Sequence, residues 1–144
     1  MTADVTLVVA ATTAEAAYVP RHLPVVVTGL GKTAAAVATT RALAGMDLSR
    51  TSVVNVGTAG ALHDGVEGLH LPGVVLNHDM NAEAVRALGY DPEERLILDG
   101  GDGTVLASGD VFVTDVAVRV ALARRADLVD MEGYAVAYAC RRMG

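Results

Sequence analysis

The sequence predicts an α/β protein, a three-layer α/β/α sandwich around a mostly parallel or mixed central sheet. Short apolar runs rich in β-branched residues, such as Val5–Ala10 and Val25–Val27, recur along the chain and read as buried strands. Segments of helical character separate them, and strands that alternate with helices favour a largely parallel sheet with right-handed crossovers. Composition agrees: 52% hydrophobic, 19% charged and 3% aromatic residues describe an interior of Ala, Val and Leu rather than a disordered chain.

Val5–Ala10 is the first strand and Val25–Val27 the second, ended by Gly29 and Gly31. Ala-rich spacing from Thr33 to Leu43 predicts a helix, so Gly29-Leu30-Gly31-Lys32 is a strand-to-helix turn. Ser52–Val56 is the third strand and leads into the turn Gly57-Thr58-Ala59-Gly60; Val74–Leu76 is the fourth. Ala82–Leu88 reads as a short helix, Gly89-Tyr90-Asp91-Pro92 as a turn and Arg95–Leu98 as a short strand. Asp99–Gly103 is a flexible loop by its glycine content. Thr104–Ala107 re-enters the sheet, Thr114 caps a helix running to Arg125, Leu128–Val129 is a further strand, and Gly133–Arg142 closes the chain as a helix.

At 144 residues one domain spanning 1–144 is expected, large enough for a single core but short for a complete doubly wound enzyme. A net charge of −6 argues against a general nucleic-acid surface, which needs clustered Lys and Arg to displace counterions. The basic doublets Arg124-Arg125 and Arg141-Arg142 read as last-turn helix residues, where cations suit the dipole. Cys140 is the only cysteine, so no intrachain disulfide forms, and its apolar helical setting makes it a small core residue. The first residues carry no basic, cleavable leader, and no apolar run is long enough to span a bilayer, so the cytoplasm is expected and a membrane partner is not. His22, His63, His70 and His78 lack metal-ligand spacing, and neither metal nor cofactor is expected. His78-Asp79 reads as a solvent-exposed loop.

The chemistry concentrates in Asp127-Leu128-Val129-Asp130-Met131-Glu132-Gly133-Tyr134-Ala135, where an apolar strand runs into two carboxylates and then into a small-residue helix. Parallel sheets present ligand-facing groups at the carboxyl ends of their strands, where Asp130 and Glu132 could hold paired hydroxyls such as those of a ribose. Equally, both acids could cap the following helix. Gly29-Leu30-Gly31-Lys32 could receive an anion on free backbone N–H groups, but the spaced glycine of a Walker loop is missing. Phe112, the only phenylalanine, could stack on a flat base or fill the core. Glu15, in Thr12-Thr13-Ala14-Glu15, is either a reactive carboxylate or an exposed glutamate in a helix's first turn.

Two further segments stand upstream in order, Asn55-Val56-Gly57-Thr58-Ala59-Gly60-Ala61-Leu62 and Ala107-Ser108-Gly109-Asp110-Val111-Phe112-Val113. With Asp130-Met131-Glu132 they resemble the nucleoside phosphorylase and nucleosidase superfamily, most closely its methylthioadenosine and adenosylhomocysteine nucleosidase branch. The likeness covers nearly the whole chain, from the strand before Glu15 to the helix ending near Cys140. It implies that Glu15 activates water, that Glu132 grips the ribose hydroxyls with Met131 packed on the sugar, and that Asp130 supports them from the adjoining backbone. It places Phe112 against the adenine, the backbone of Val113 at the base edge, Leu30 beside the 5′ substituent, and Thr58, Ala59 and Gly60 at the floor near the nucleophile.

The implied reaction is hydrolysis of the N-glycosidic bond of an adenine-type nucleoside such as methylthioadenosine. Its transition state is a sugar cation, and carboxylates suit both its stabilisation and the activation of water. Three alternatives stay open: a phosphate-dependent purine nucleoside phosphorylase, disfavoured because Asn55 stands where the bacterial phosphorylases place an arginine, a catalytically silent nucleoside-binding domain, and a flavodoxin-like regulatory or structural module that binds no nucleoside. The family's leaving-group acid belongs to a Ser-Asp pair on a strand after the helix matching Gly133–Arg142, and the sequence stops at Gly144, so the last strand and helix are expected to be missing. A homodimer is expected from the likeness and from the high apolar fraction.

Overall fold

A computed structural model describes residues 4–144; the first three residues, where the leader reading begins, lie outside the described part. The fold is mixed α/β, with its strands hydrogen-bonded in one three-stranded and one five-stranded sheet. The chain divides into two compact units, one running through Thr58 and resuming at Ala135–Gly144, the other Ala59–Tyr134.

In the first unit, β1 (Val5–Ala10) lies between β2 (Val25–Val27) and β3 (Thr51–Asn55), all parallel. Leu7, Val8, Val9 and Ala10 are all buried, so β1 is covered on both faces, which explains its unbroken apolar run. Leu7 and Val9 pack with Ala35 and Leu43 of α1 (Lys32–Leu43) and with Ala135 and Val136 of α4 (Gly133–Met143). Cys140 borders this core half-buried, as its apolar setting suggests, and burial raises its thiol above the ordinary value. Gly29 and Gly31 take φ of 86° and 95°, a left-handed backbone that L side chains rarely adopt, which is why glycines turn β2 into α1.

In the second unit the strand order is β4 (Gly60–Ala61), β8 (Leu128–Asp130), β7 (Val105–Ser108), β5 (Val74–Asn77), β6 (Arg95–Ile97). β8, β7 and β5 are mutually parallel, and the short antiparallel strands β4 and β6 form the edges, a common way to finish a parallel sheet. The core joins Leu76 and Ala107 with Leu62, Ala126 and Leu122, the last from α3 (Val116–Ala123). The remaining helix, α2 (Ala82–Ala87), is capped by the Asn81 carboxamide, which accepts from the Ala84 N–H.

Several fold-level readings change. Helix α3 stops at Ala123 with Arg124 as its C-cap, so Arg124-Arg125 lies past the last turn and not in it. The cap of α3 is Asp115, whose carboxylate accepts from Val118 N–H at 3.0 Å, and not Thr114; both types cap well, so sequence leaves the choice to the backbone. Gly60–Ala61, read as turn, pairs with Val129 and Leu128 as a two-residue strand. Asp99–Gly103 is an organised loop rather than a free one: Asp102 accepts from the Thr104 hydroxyl at 2.6 Å and from Leu71 N–H at 2.8 Å. Those bonds, with His70 nearby, hold the Asp102 carboxyl at about 2. Among the described residues no helix is long and apolar enough to cross a membrane.

Candidate active site

Two clusters of chemistry-bearing residues sit just past the carboxyl ends of parallel strands, where an α/β sheet exposes backbone groups and side chains together. The first follows β1 and β3. Thr12 and Glu15 form a reciprocal box: Thr12 N–H donates to Glu15 Oε2 at 3.1 Å, and Glu15 N–H donates to Thr12 Oγ1 at 3.2 Å. This is the spacing of a helix capping box, yet turns rather than a helix follow it. The Thr12 hydroxyl adds a bond to Oε2 at 3.0 Å. From the end of β3, Thr58 reaches the other oxygen, its N–H and its hydroxyl both 3.0 Å from Oε1.

Glu15 therefore is not an exposed first-turn glutamate. It is half-buried and accepts four hydrogen bonds. Burial works to raise its carboxyl, but the bonds from Thr58 and Thr12 outweigh burial and hold it below the ordinary 4.5, so it is a carboxylate at neutral pH. Sequence alone gives Thr12 no part in the site. The Thr-x-x-Glu spacing was the available signal.

The second cluster follows β5, β7 and β8. Asp130 Oδ1 accepts from the Ser108 hydroxyl at 2.5 Å and Oδ2 from Gly133 N–H at 2.8 Å, so this carboxylate caps α4 and braces β7 at once. Ser108 Oγ in turn accepts from Tyr134 N–H at 2.8 Å. Met131 and Glu132, on the turn between β8 and α4, are half-buried. Ser108 received no role from sequence, because a serine at a strand end carries no pattern; its partner is visible only through the register that sets Ser108 opposite Asp130.

Beyond β7 the chain bends at Gly109, and a Cβ there would collide with the His78 imidazole. His78 is half-buried against this backbone rather than solvent-exposed, while Asp79 is exposed and accepts from Asp110 N–H at 2.6 Å. The bend leads to Phe112, which is 75% exposed and so is no core residue; Val113 instead packs against the second unit's core. Leu30, at the glycine turn of the first unit, is 66% exposed. Ala59 is exposed, and Gly60 pairs with Val129. Among the described residues no group of three or more His, Cys, Asp and Glu could hold a metal ion.

This is an α/β protein whose acids and backbone donors gather at the carboxyl ends of parallel strands. The chain belongs to the phosphorylase superfamily, whose family model matches residues 17–144. No curated protein matches its sequence. Among solved structures it is similar to the 5′-methylthioadenosine/S-adenosylhomocysteine nucleosidase of Neisseria meningitidis in complex with methylthio-immucillin-A, at 22% identity and a TM-score of 0.75, over 96% of this chain and 80% of that one. A Helicobacter pylori nucleosidase variant with 5′-methylthioadenosine in its active site matches at 21% identity and a TM-score of 0.80, over 97% and 80% of the two chains. A futalosine hydrolase mutant of Helicobacter pylori matches at 21% identity and 0.79, over 96% and 84%. At these identities the likeness is one of fold.

Proposed function

We propose that this protein is a nucleosidase that hydrolyses the N-glycosidic bond of an adenine-type nucleoside, such as methylthioadenosine, and releases the base. The observation that carries the reading is the Glu15 carboxylate, kept ionised by donors from two strand ends and backed by membership of the phosphorylase superfamily. Water attacks C1′ as the bond to the base breaks; the water's proton passes to Glu15, and the base leaves with the bonding electron pair and takes up a proton, the task that the family resemblance gives to a Ser-Asp pair on a strand after the helix matching Gly133–Arg142 and that Glu15, on the water face, does not perform. A carboxylate offers about four acceptor positions, and protein donors fill as many on Glu15. Water therefore gains the carboxylate by displacing a donor, and the rotatable Thr58 hydroxyl, on an exposed residue, is the one that moves.

Glu132 holds the ribose hydroxyls, Met131 packs against the sugar, and Asp130 supports their turn. Phe112 stacks on the base while the Val113 backbone meets its edge; Leu30 contacts the 5′ substituent, and Thr58, Ala59 and Gly60 floor the nucleophile's position. In this reading the protein is a cytoplasmic homodimer without a cofactor, and residues 1–144 are one phosphorylase-like domain that lacks its last strand and helix, so the release rate of the 144-residue form is itself a quantity the test below measures. The test is incubation with methylthioadenosine and with adenosine, with and without phosphate, followed by quantification of free adenine and of the sugar product. Adenine release that is independent of phosphate supports the reading; release that requires phosphate, with a sugar phosphate as product, replaces it with phosphorolysis. Nucleoside binding without release reduces the protein to a binding domain.

A further inference from the structure

We propose that the Ser108 hydroxyl is a positioning group that fixes the turn bearing Met131 and Glu132 and thereby sets the preference for a ribose-bearing ligand over a free base. The inference rests on the ribose-holding role given above to Glu132. Ser108 is fully buried, and its hydroxyl does two things at once: it donates to Asp130 Oδ1 at 2.5 Å and accepts from Tyr134 N–H at 2.8 Å. Asp130 Oδ2 accepts from Gly133 N–H at 2.8 Å, so the ends of the turn through 131 and 132 are both held. Backbone bonds tie the two strand ends to their surroundings: Ser108 C=O accepts from His78 N–H at 3.0 Å, and Asp130 C=O accepts from Gly109 N–H at 3.2 Å.

The geometry makes Ser108 a junction. A helix start leaves N–H groups without intrahelical partners, and here the side chains of two paired strands supply them. Removing the hydroxyl would take one acceptor from the buried Tyr134 N–H and one donor from the half-buried Asp130 carboxylate, loosening both ends of the turn. The turn would then sample more orientations. A side chain that must meet two ribose hydroxyls suffers from that freedom, whereas a base held by stacking and a backbone edge on the 110–113 bend does not.

The experiment uses the full chain as wild type, Ser108→Ala and Ser108→Thr, titrated calorimetrically with methylthioadenosine and with adenine. Thermal melting of each variant and amide exchange at Gly133 and Tyr134 accompany the titrations. Expected are a loss of roughly tenfold in nucleoside affinity for Ser108→Ala, unchanged adenine affinity, faster exchange at Tyr134, and a return toward wild type in Ser108→Thr, which keeps the hydroxyl. Equal losses for nucleoside and base, an unaltered nucleoside preference, or unaltered exchange at Tyr134 would each overturn the inference. If Ser108→Ala does not fold, Ser108→Thr decides: preference kept supports the role, and preference lost in a folded Ser108→Thr overturns it. A wild-type chain that binds adenine as tightly as nucleoside, or binds neither, fails at the earlier step: it removes the ribose role of Glu132, and the positioning role of Ser108 falls with it.

Discussion

The two acidic turns, one in each unit, are built in opposite ways. Glu15 lies on a stretch with neither helix nor strand, and its donors are a nearby threonine and one 43 residues away at a second strand end. Asp130 ends a strand, and its donors are its register partner Ser108 and the first helical residue Gly133. Thr58 is exposed and Thr12 half-buried, whereas Ser108 and Gly133 are buried. An acid bonded by accessible groups can exchange one donor for water at little cost. One bonded by buried groups cannot, because each abandoned donor costs about 1–3 kcal/mol. Glu15 is thus placed for exchange and Asp130 for support.

The largest effect that would break this contrast is catalytic. Glu15→Gln is expected to lower adenine release from methylthioadenosine by about 10²–10⁴-fold, the usual contribution of a positioned general base, with the fold retained by circular dichroism. A variant that releases adenine at the wild-type rate would take water activation away from Glu15. Next comes Glu132→Gln, expected to weaken nucleoside binding by about 1.5–3 kcal/mol, the range for hydrogen bonds to a charged group, while adenine binding stays put. Equal weakening for both ligands, read by calorimetry, would remove Glu132 from the sugar.

Stability sharpens the comparison. Asp130→Ala should lower the unfolding free energy by about 1–3 kcal/mol, since it leaves the Ser108 hydroxyl and the Gly133 N–H buried without their acceptor. Thr58→Ala removes one exposed hydroxyl bond and should cost at most about 1 kcal/mol. Urea unfolding of the pair tests it. Similar losses would mean that exposure does not separate the two turns as argued.

Much of this was legible from sequence, and the illegible part has a physical pattern. The β-branched runs at Val5–Ala10 and Val74–Leu76 and the Ala spacing of 33–43 predicted elements that the structure contains, because burial and periodicity act over several residues. Gly60–Ala61 is too short to carry a period, and it becomes a strand only because Val129 and Leu128 offer it partners. The order in Asp99–Gly103 is hidden in the sequence because glycine content suggests freedom, while the Asp102 carboxylate, accepting from the Thr104 N–H and hydroxyl, removes it. Of the acids, the sequence leaves Asp130 open between capping and ligand binding, and Glu15 open between a reactive carboxylate and an exposed first-turn glutamate. The hydrogen bonds differ: Asp130 caps a helix, and Glu15 forms a capping box that no helix follows. Ser108 stayed silent because its meaning depends on pairing across 22 residues.

The smallest expected effect concerns acid. Burial disfavours the Glu15 charge, and the Thr58 and Thr12 bonds overcome that, leaving the carboxyl below 4.5 in the folded state. A carboxyl depressed on folding contributes stability that is fully present above its unfolded value and is lost as pH falls through its folded value. The difference in unfolding free energy between wild type and Glu15→Gln should therefore be widest near neutral pH and close only below pH 4.5. Solvent near this partly open carboxylate screens the interaction and keeps the difference small. Thr12→Val removes the hydroxyl bond to Oε2 while leaving the backbone N–H in place, so it should raise the Glu15 carboxyl and move the acid limb to higher pH. Urea unfolding of the three proteins between about pH 3 and pH 7 reads the shift directly. An acid limb that does not move in Thr12→Val would mean that Thr58 alone holds the charge, and that the box at 12–15 serves the backbone and not the carboxylate.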